Sequence, residues 1–347
     1  MPANSIDTFF ACSLIVVVVV VSMAATTRVA MPYITGLQDI NEEDYMLKIA
    51  EHVIVNPGSP EDWGKNVSVT PEVFGLAKDN SFSYELDADK VSRLNSQNAY
   101  ALSYFEMMQT LRLEKVALRF VFSQVLDIDV TLDSNTTVDD STLYSFNVAV
   151  SRNQAPVATD LHCYIVANNF SNDTASSTST NGQGIVEIAI PNSSNGTALL
   201  IVFARAPYDQ RITAQTVYAF GHLSSEPAPN NTFLNLSPLN STLEVDSNVS
   251  DISLEAAYAF SYGYKSGLTS TSNETYTIPD FLDSSPQVLV VVGWSSSDFF
   301  VEWTSYPQIP LEVGANFEDA ECFSFNYIVT IDGVFYRLNV QCGGPSL

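Results

Sequence analysis

Hydrophobic and polar positions divide this chain into three stretches with different periods. The first has no period at all: between Asp7 and Arg28 lie 20 residues without a formal charge, and Val16 to Val21 is an unbroken run of valine. At 1.5 Å per helical residue such a run covers about 30 Å, the thickness of a bilayer's hydrocarbon core. Lipid offers the backbone no hydrogen bonds, so a single span of this kind has to be a helix. Ser22 and Ala24, just ahead of Ala25, also fit a cleaved secretory signal, but the leading "MPANSID" carries Asp7 and no Lys or Arg. The reading adopted is a retained anchor over residues 1–31.

The second stretch, 32–118, is patchily helical. Asn41 is placed to cap a helix whose first turn holds Glu42, Glu43 and Asp44, with Met46, Ile49, Ala50 and Val53 following at spacings of three and four. "NPGSP", Asn56 to Pro60, should end it. Ser103 and Glu106 form a capping box for a short helix through about Leu111, and Asp87 or Asp89 caps another turn running to Leu94.

After residue 118 the period becomes two. Leu126, Ile128, Val130 and Leu132 alternate with Asp127, Asp129, Thr131 and Asp133, which buries one face and wets the other. The same alternation runs through Tyr144 to Val150, Leu161 to Ala167, Val186 to Ile190 and Leu199 to Phe203. Strands at this spacing, with Asn181-Gly182 and Asn195-Gly196 between them, predict a β-sandwich over 119–222. "LSSEPAPNN", Leu223 to Asn231, reads as a linker, and a second β-rich unit is expected over 232–347. There "QVLVVVGW", Gln287 to Trp294, looks buried on both faces, with "FFVEW", Phe299 to Trp303, beside it. The expected fold class is therefore mainly β: an N-terminal transmembrane helix, a small helical segment and two tandem β-sandwich units of immunoglobulin-like type.

Charge narrows the partners. With 14 Lys plus Arg against 39 Asp plus Glu, the net charge of -25 repels phosphate backbones, so nucleic acid is not an expected partner. Membrane lipid through the N-terminal helix, further copies of the chain and other envelope proteins are. Arg28, the one basic residue flanking the apolar run, would place the following chain in the cytoplasm by the positive-inside rule. The glycosylation acceptors outweigh it. Asn-x-Ser/Thr stands at Asn66, Asn135, Asn169, Asn172, Asn192, Asn195, Asn230, Asn235, Asn240, Asn248 and Asn273, never with Pro in the middle, and a chain so supplied is expected at the cell membrane with its bulk outside.

Cysteine usage agrees with an oxidising compartment. Cys12 is a small hydrophobe within the apolar run. "CFSFNYIVTIDGVFYRLNVQC" reads as a hairpin around Asp332-Gly333; a three-residue loop, Ile331 to Gly333, sets Thr330 opposite Val334 and Cys322 opposite Cys342. A cross-strand disulfide between Cys322 and Cys342 is the expected pairing, with Cys163 to either as its rival.

Sites of chemistry are scarce. His52, His162 and His222 stand far apart, and the metalloprotease, nucleophile-elbow, phosphate-loop and Cys-x-x-Cys patterns are missing. No enzyme activity and no cofactor are expected; a secreted hydrolase would need an acid pair that spacing does not reveal. Asp127, Asp129, Asp133, Asp139 and Asp140 are oxygen ligands of the type calcium takes, without the spacing of an EF-hand loop.

The residues also suggest a family. "SIDTFFACSLIVVVVVVSMA", the helix after it, "NPGSPEDWG" and "FGLAKDNSFSYELDADKVSRLN" resemble a group of archaeal surface proteins with a type IV pilin-like amino terminus, over about the first 115 residues. The resemblance implies a long apolar N-terminal helix that sits in the membrane and later packs in a filament core. Unlike a prepilin, this chain has no Lys or Arg before the apolar stretch. A structural, adhesive or pilin-like role at the cell surface is the expected function, with an extracellular binding module for carbohydrate, peptide or calcium as the alternative.

Overall fold

In a computed structural model the chain forms two compact units, Met1–Glu51 and His52–Leu347. The structure describes residues 3–80, 84–113, 115–272, 274–281, 283–317 and 322–344; within the first helix, side chains are described at 14–26, 28 and 42–55.

Helix α1 runs Ala3–Val55. The start predicted at Asn41 is absent: the backbone is helical on both sides of it, so the amides that an Asn41 cap would serve lie within a continuing helix. Leu14 to Val21 are 50–69 % exposed. Among the described residues no helix is long and apolar enough to cross a membrane. Cys12 lies outside the described side chains.

The second unit is mainly β. Sheet I holds strands Asp127–Val138, Ser141–Arg152, Ala155–Pro156 and Gln183–Pro191; sheet II holds Asp160–Ala167, Phe170–Ser177, Gly196–Arg205 and Thr213–His222. Sheet III holds Ile252–Phe260, Lys265–Gly267, Gln287–Ser295 and Asp298–Tyr306, and sheet IV holds Leu234–Leu239, Thr242–Ser247, Thr269–Ser272 and Thr275–Thr277. These four sheets stack in the order I, II, III, IV, because three separate apolar cores lie between them. Val148 and Phe146 of sheet I meet Ile165, Leu200 and Val202 of sheet II. The other face of sheet II, Tyr164, Ile201 and Phe203, meets Val288, Val290 and Val301 of sheet III. The far face of sheet III, Leu289, Val291 and Phe300, meets Leu236 and Leu243 of sheet IV.

Side-chain alternation explains the stack. In Gly196–Arg205 the residues Ala198, Leu200, Val202 and Ala204 point to one core while Leu199, Ile201 and Phe203 point to the next. A strand covered on both faces has to be apolar at every position, which is what "ALLIVFA" and "VLVVV" provide. Double burial of Gln287–Ser295 matches the sequence reading, and its neighbour is indeed the "FFVEW" strand, with Trp294 opposite Phe299. For Leu199 to Phe203 the reading of a single buried face falls short, since both faces are covered.

The domain boundaries differ from those predicted. Sheets II and III share a core, so residues 119–222 and 232–347 do not separate as two sandwiches. A fifth sheet, V, crosses the other boundary: it joins Ala117–Gln124 and Leu311–Gly314 to the hairpin Cys322–Ile331 and Val334–Gly343, with Glu85–Leu86 parallel at its edge. Local periodicity cannot announce a pairing between strands some two hundred residues apart in sequence.

The hairpin of sheet V corrects the cysteine expectation. Its loop has two residues, Asp332 and Gly333, both at positive φ (47 and 81°), and Ile331 faces Val334. This geometry follows the right-handed strand twist, which a Asp-Gly pair favours. The register therefore sets Cys322 opposite Gly343 and Phe323 opposite Cys342. A one-residue slip turns a side chain to the other face, so Cys322 and Cys342 are not cross-strand partners, and no disulfide joins them.

The remaining segment packs against sheet V around Trp63, which is fully buried. Its Nε1 donates to Gly75 O at 3.1 Å, Phe74 lies 5.8 Å away, and Phe74 reaches Phe120 of sheet V at 6.3 Å. Both shorter helices keep their predicted caps. Asp87 accepts from the amides of Asp89 and Lys90 at the start of α2, Ala88–Ser92. Ser103 and Glu106 close a capping box on α3, Tyr104–Leu111. Gly75 approaches the backbone of Asn56 so closely that an added Cβ overlaps the Asn56 carbonyl. Gly75→Ala is expected to cost about 1–3 kcal/mol, the usual penalty for overfilling a packed site, read as a lower urea midpoint at unchanged m-value.

Candidate functional site

Two cavities in the second unit gather polar side chains, and neither is visible as a sequence motif. The first, of about 450 Å³, opens where α2 meets sheets III, IV and V. The cap at Asp87 turns Asp89 inward to 4 % exposure, where Oδ1 accepts from Tyr306 Oη and Asn240 N, both at 2.7 Å. Burial pushes the Asp89 carboxyl above the ordinary range despite those bonds. The next residue, Lys90, points away and is fully buried, its Nζ donating to Pro57 O at 2.9 Å and Ala77 O at 2.7 Å. Burial lowers its pKa. Tyr336 also lines this cavity, with its hydroxyl buried and without a hydrogen-bond partner.

The second cavity, of about 500 Å³, lies between strand Thr213–His222 of sheet II and strand Asp298–Tyr306 of sheet III. Its wall is unusual for so acidic a chain: seven side-chain amides (Asn95, Gln97, Gln124, Gln215, Asn230, Asn231, Gln308) and a single carboxylate, Asp127. That carboxylate is paired with Arg337 at 3.2 Å. Most of the amides are held in place. Gln124 spans the backbone of Gln215, giving Nε2 to Gln215 O at 2.8 Å and accepting from Gln215 N at 2.5 Å. Asn230 spans Trp303 in the same way, at 2.8 and 3.0 Å.

Nearby, Glu302 is 1 % exposed and accepts from the amides of Asn231, Phe233 and Leu234. Those bonds tie down the segment that composition marks as a linker. Burial still raises the Glu302 pKa. For Asp89 and Glu302 the folded pKa lies above the unfolded one, so between the two values the folded chain holds more protons. Their contribution to stability therefore grows as pH falls through the folded values towards the ordinary carboxylate range, and the self-repulsion of the net charge of -25 weakens along the same path. Across that range the urea midpoint of the wild-type chain is expected to gain, relative to neutral pH, over that of a chain carrying Asp89→Asn and Glu302→Gln; no difference between the two profiles would contradict both assignments.

The glycosylation acceptors sort by exposure. Asn66, Asn135, Asn169, Asn172, Asn195, Asn240 and Asn248 are exposed, whereas Asn192, Asn230 and Asn235 are half-buried. Asn192 accepts from Thr142 Oγ1 at 2.9 Å, Asn230 is committed to Trp303, and Ser237, the hydroxyl residue of the Asn235 acceptor, is 2 % exposed. Asn273 lies outside the described residues.

The other candidates do not converge. Asp127, Asp129 and Asp133 are strung along one strand rather than folded round a point, and among the described residues no group of three or more His, Cys, Asp or Glu is placed to hold a metal ion. His162 and Cys163 point to opposite faces, as adjacent strand residues must: His162 stacks on Tyr164 at 4.7 Å and meets Asp173 at 3.2 Å. Cys163 sits in the core between sheets I and II with its thiol pushed up to about 12 by burial. His222 is fully buried between Tyr144 Oη and Pro191 O.

Sequence reasoning missed both cavities. The available signal for the second was Gln215, a polar residue in "TAQTVYAF" among inward-facing neighbours.

No family model matches the chain, and no curated protein matches it. Among solved structures, HBP35 of Porphyromonas gingivalis aligns with 52 % of this chain and 63 % of its own at 11 % identity, with a TM-score of 0.22. The match thus spans less than two thirds of that structure.

Proposed function

We propose that the chain is a membrane-anchored extracellular surface protein with a structural, adhesive or pilin-like role. The observation that carries this reading is the exposed apolar run of α1, Leu14 to Val21 at 50–69 % exposure all round a helix of 53 residues, in a chain whose other unit is acidic and β-rich. Apolar surface of that extent needs lipid or the like helices of other copies to cover it. The mainly β second unit, its many exposed glycosylation acceptors and its low count of basic residues suit a solvated outer face. Protease shaving of whole cells with intact-mass measurement tests the reading. Release of peptides from residues 52–347 and added glycan mass on exposed acceptors, with Asn230 unmodified, is the expected result. Recovery of the unmodified chain from the cytosol would overturn it.

The alternative, an extracellular binding module, has one observation in its favour: the amide-lined cavity between sheets II and III.

A further inference from the structure

That cavity has a polar atom with nothing to bind. Gln215 is 8 % exposed, it lines the cavity, and its Oε1 is buried without a hydrogen-bond partner. An orphaned buried acceptor is costly, and a donor from a ligand would recover that cost. Its surroundings are fixed in advance: Gln124 clamps the Gln215 backbone, Asn230 clamps that of Trp303, and Gln308 bridges Asn98 and Thr304 at 2.9 and 3.1 Å. Ligand sites typically combine such rigid polar groups with apolar wall in a volume of roughly 300–1,000 Å³, and Val217, Val288 and Trp303 supply the apolar wall here.

The lining selects the ligand's chemistry. An anion finds no cation in the wall and meets the field of a chain at -25. A cation finds one carboxylate, already paired with Arg337. An acyl chain would bury against amides that it cannot satisfy. Among neutral ligands, a molecule rich in hydroxyl groups with an apolar ring face matches both the amides and the apolar wall.

We propose that this cavity binds a neutral saccharide, one hydroxyl of which donates to Gln215 Oε1 while a ring face lies along Val217 and Trp303. The proposal deepens the binding-module reading and depends on surface display only for where the sugar comes from.

The test uses the full chain in a zwitterionic detergent without sugar headgroups, on an array of neutral and anionic glycans. Expected are binding to neutral saccharides and none to uronates or sulfated sugars. Gln215→Leu should weaken binding at least tenfold without lowering Tm, since an apolar group replaces an orphaned acceptor. Hydrogen exchange on the wild-type chain gives a second readout that needs no variant: the bound sugar should protect Gln215–Val217 and Trp303–Ser305. A blank array, preference for anionic sugars, or binding that leaves both segments unprotected would overturn the site. Cell shaving reports display independently, so failure of one claim is distinguishable from failure of the other.

Discussion

Phe203→Ala is expected to destabilise the second unit by about 3–5 kcal/mol, the range for removing a fully buried phenylalanine, and to do so in a single unfolding transition. Phe203 is fully buried between sheets II and III, with Tyr164 edge-on at 6.0 Å. Two independent sandwiches would unfold separately, and the substitution would lower only one midpoint. Here sheet II gives one face to sheet I and the other to sheet III, so loss of the middle core removes support from both outer sheets. Tryptophan fluorescence, which reports Trp63 beside sheet V as well as Trp294 and Trp303 on sheet III, and far-ultraviolet circular dichroism, which reports all sheets, should therefore move together. Two separated transitions, with one unmoved by the substitution, would refute the shared core.

Arg93→Lys should cost about 2–4 kcal/mol although it keeps the charge. Arg93 is 4 % exposed and sends Nη1 to the carbonyls of Trp63, Asn66 and Val69 and Nε to Tyr100 O, while its guanidinium lies 5.5 Å from the Trp63 ring centre. A lysine has three donors at one point and cannot reproduce that fork, so buried carbonyls lose their partners. Urea denaturation measures the loss, and limited proteolysis should find new cuts within residues 63–69, the loop that the guanidinium holds. A loss under about 0.5 kcal/mol, the scale of an ordinary surface substitution, would show that packing alone holds that loop.

Local signals were legible wherever the deciding partner lies nearby in sequence. The cap at Asp87, the capping box at Ser103 and the neighbouring strands at Trp294 and Phe299 all follow from residues a few positions apart. The hairpin at Asp332-Gly333 was legible as a turn, but its loop length decides the face of every side chain beyond it, and one residue of error moved Cys322 off Cys342. Sheet V was illegible for a different reason: Phe120 and Val340 are paired across the length of the unit, and neither segment carries a mark of the other. The amide-lined cavity between sheets II and III was half legible. Asn230 drew attention as a glycan acceptor and Trp303 as the end of an apolar strand, yet the structure uses the Asn230 side chain to fix the tryptophan backbone. Composition called Leu223 to Asn231 a free linker because Pro, Asn and Ser resist regular structure; the Glu302 carboxylate that anchors its end lies far along the chain.

The pairing of Ala117–Gln124 with Val334–Gly343 has a consequence for biosynthesis. A ribosome delivers the first of these strands some two hundred residues before either of its neighbours, Leu311–Gly314 and Val334–Gly343. Sheet V therefore closes late in synthesis, and in the interval its early strand, with alternate residues as apolar as Leu118, Phe120 and Phe122, has both flanks open to chaperones or to misassociation.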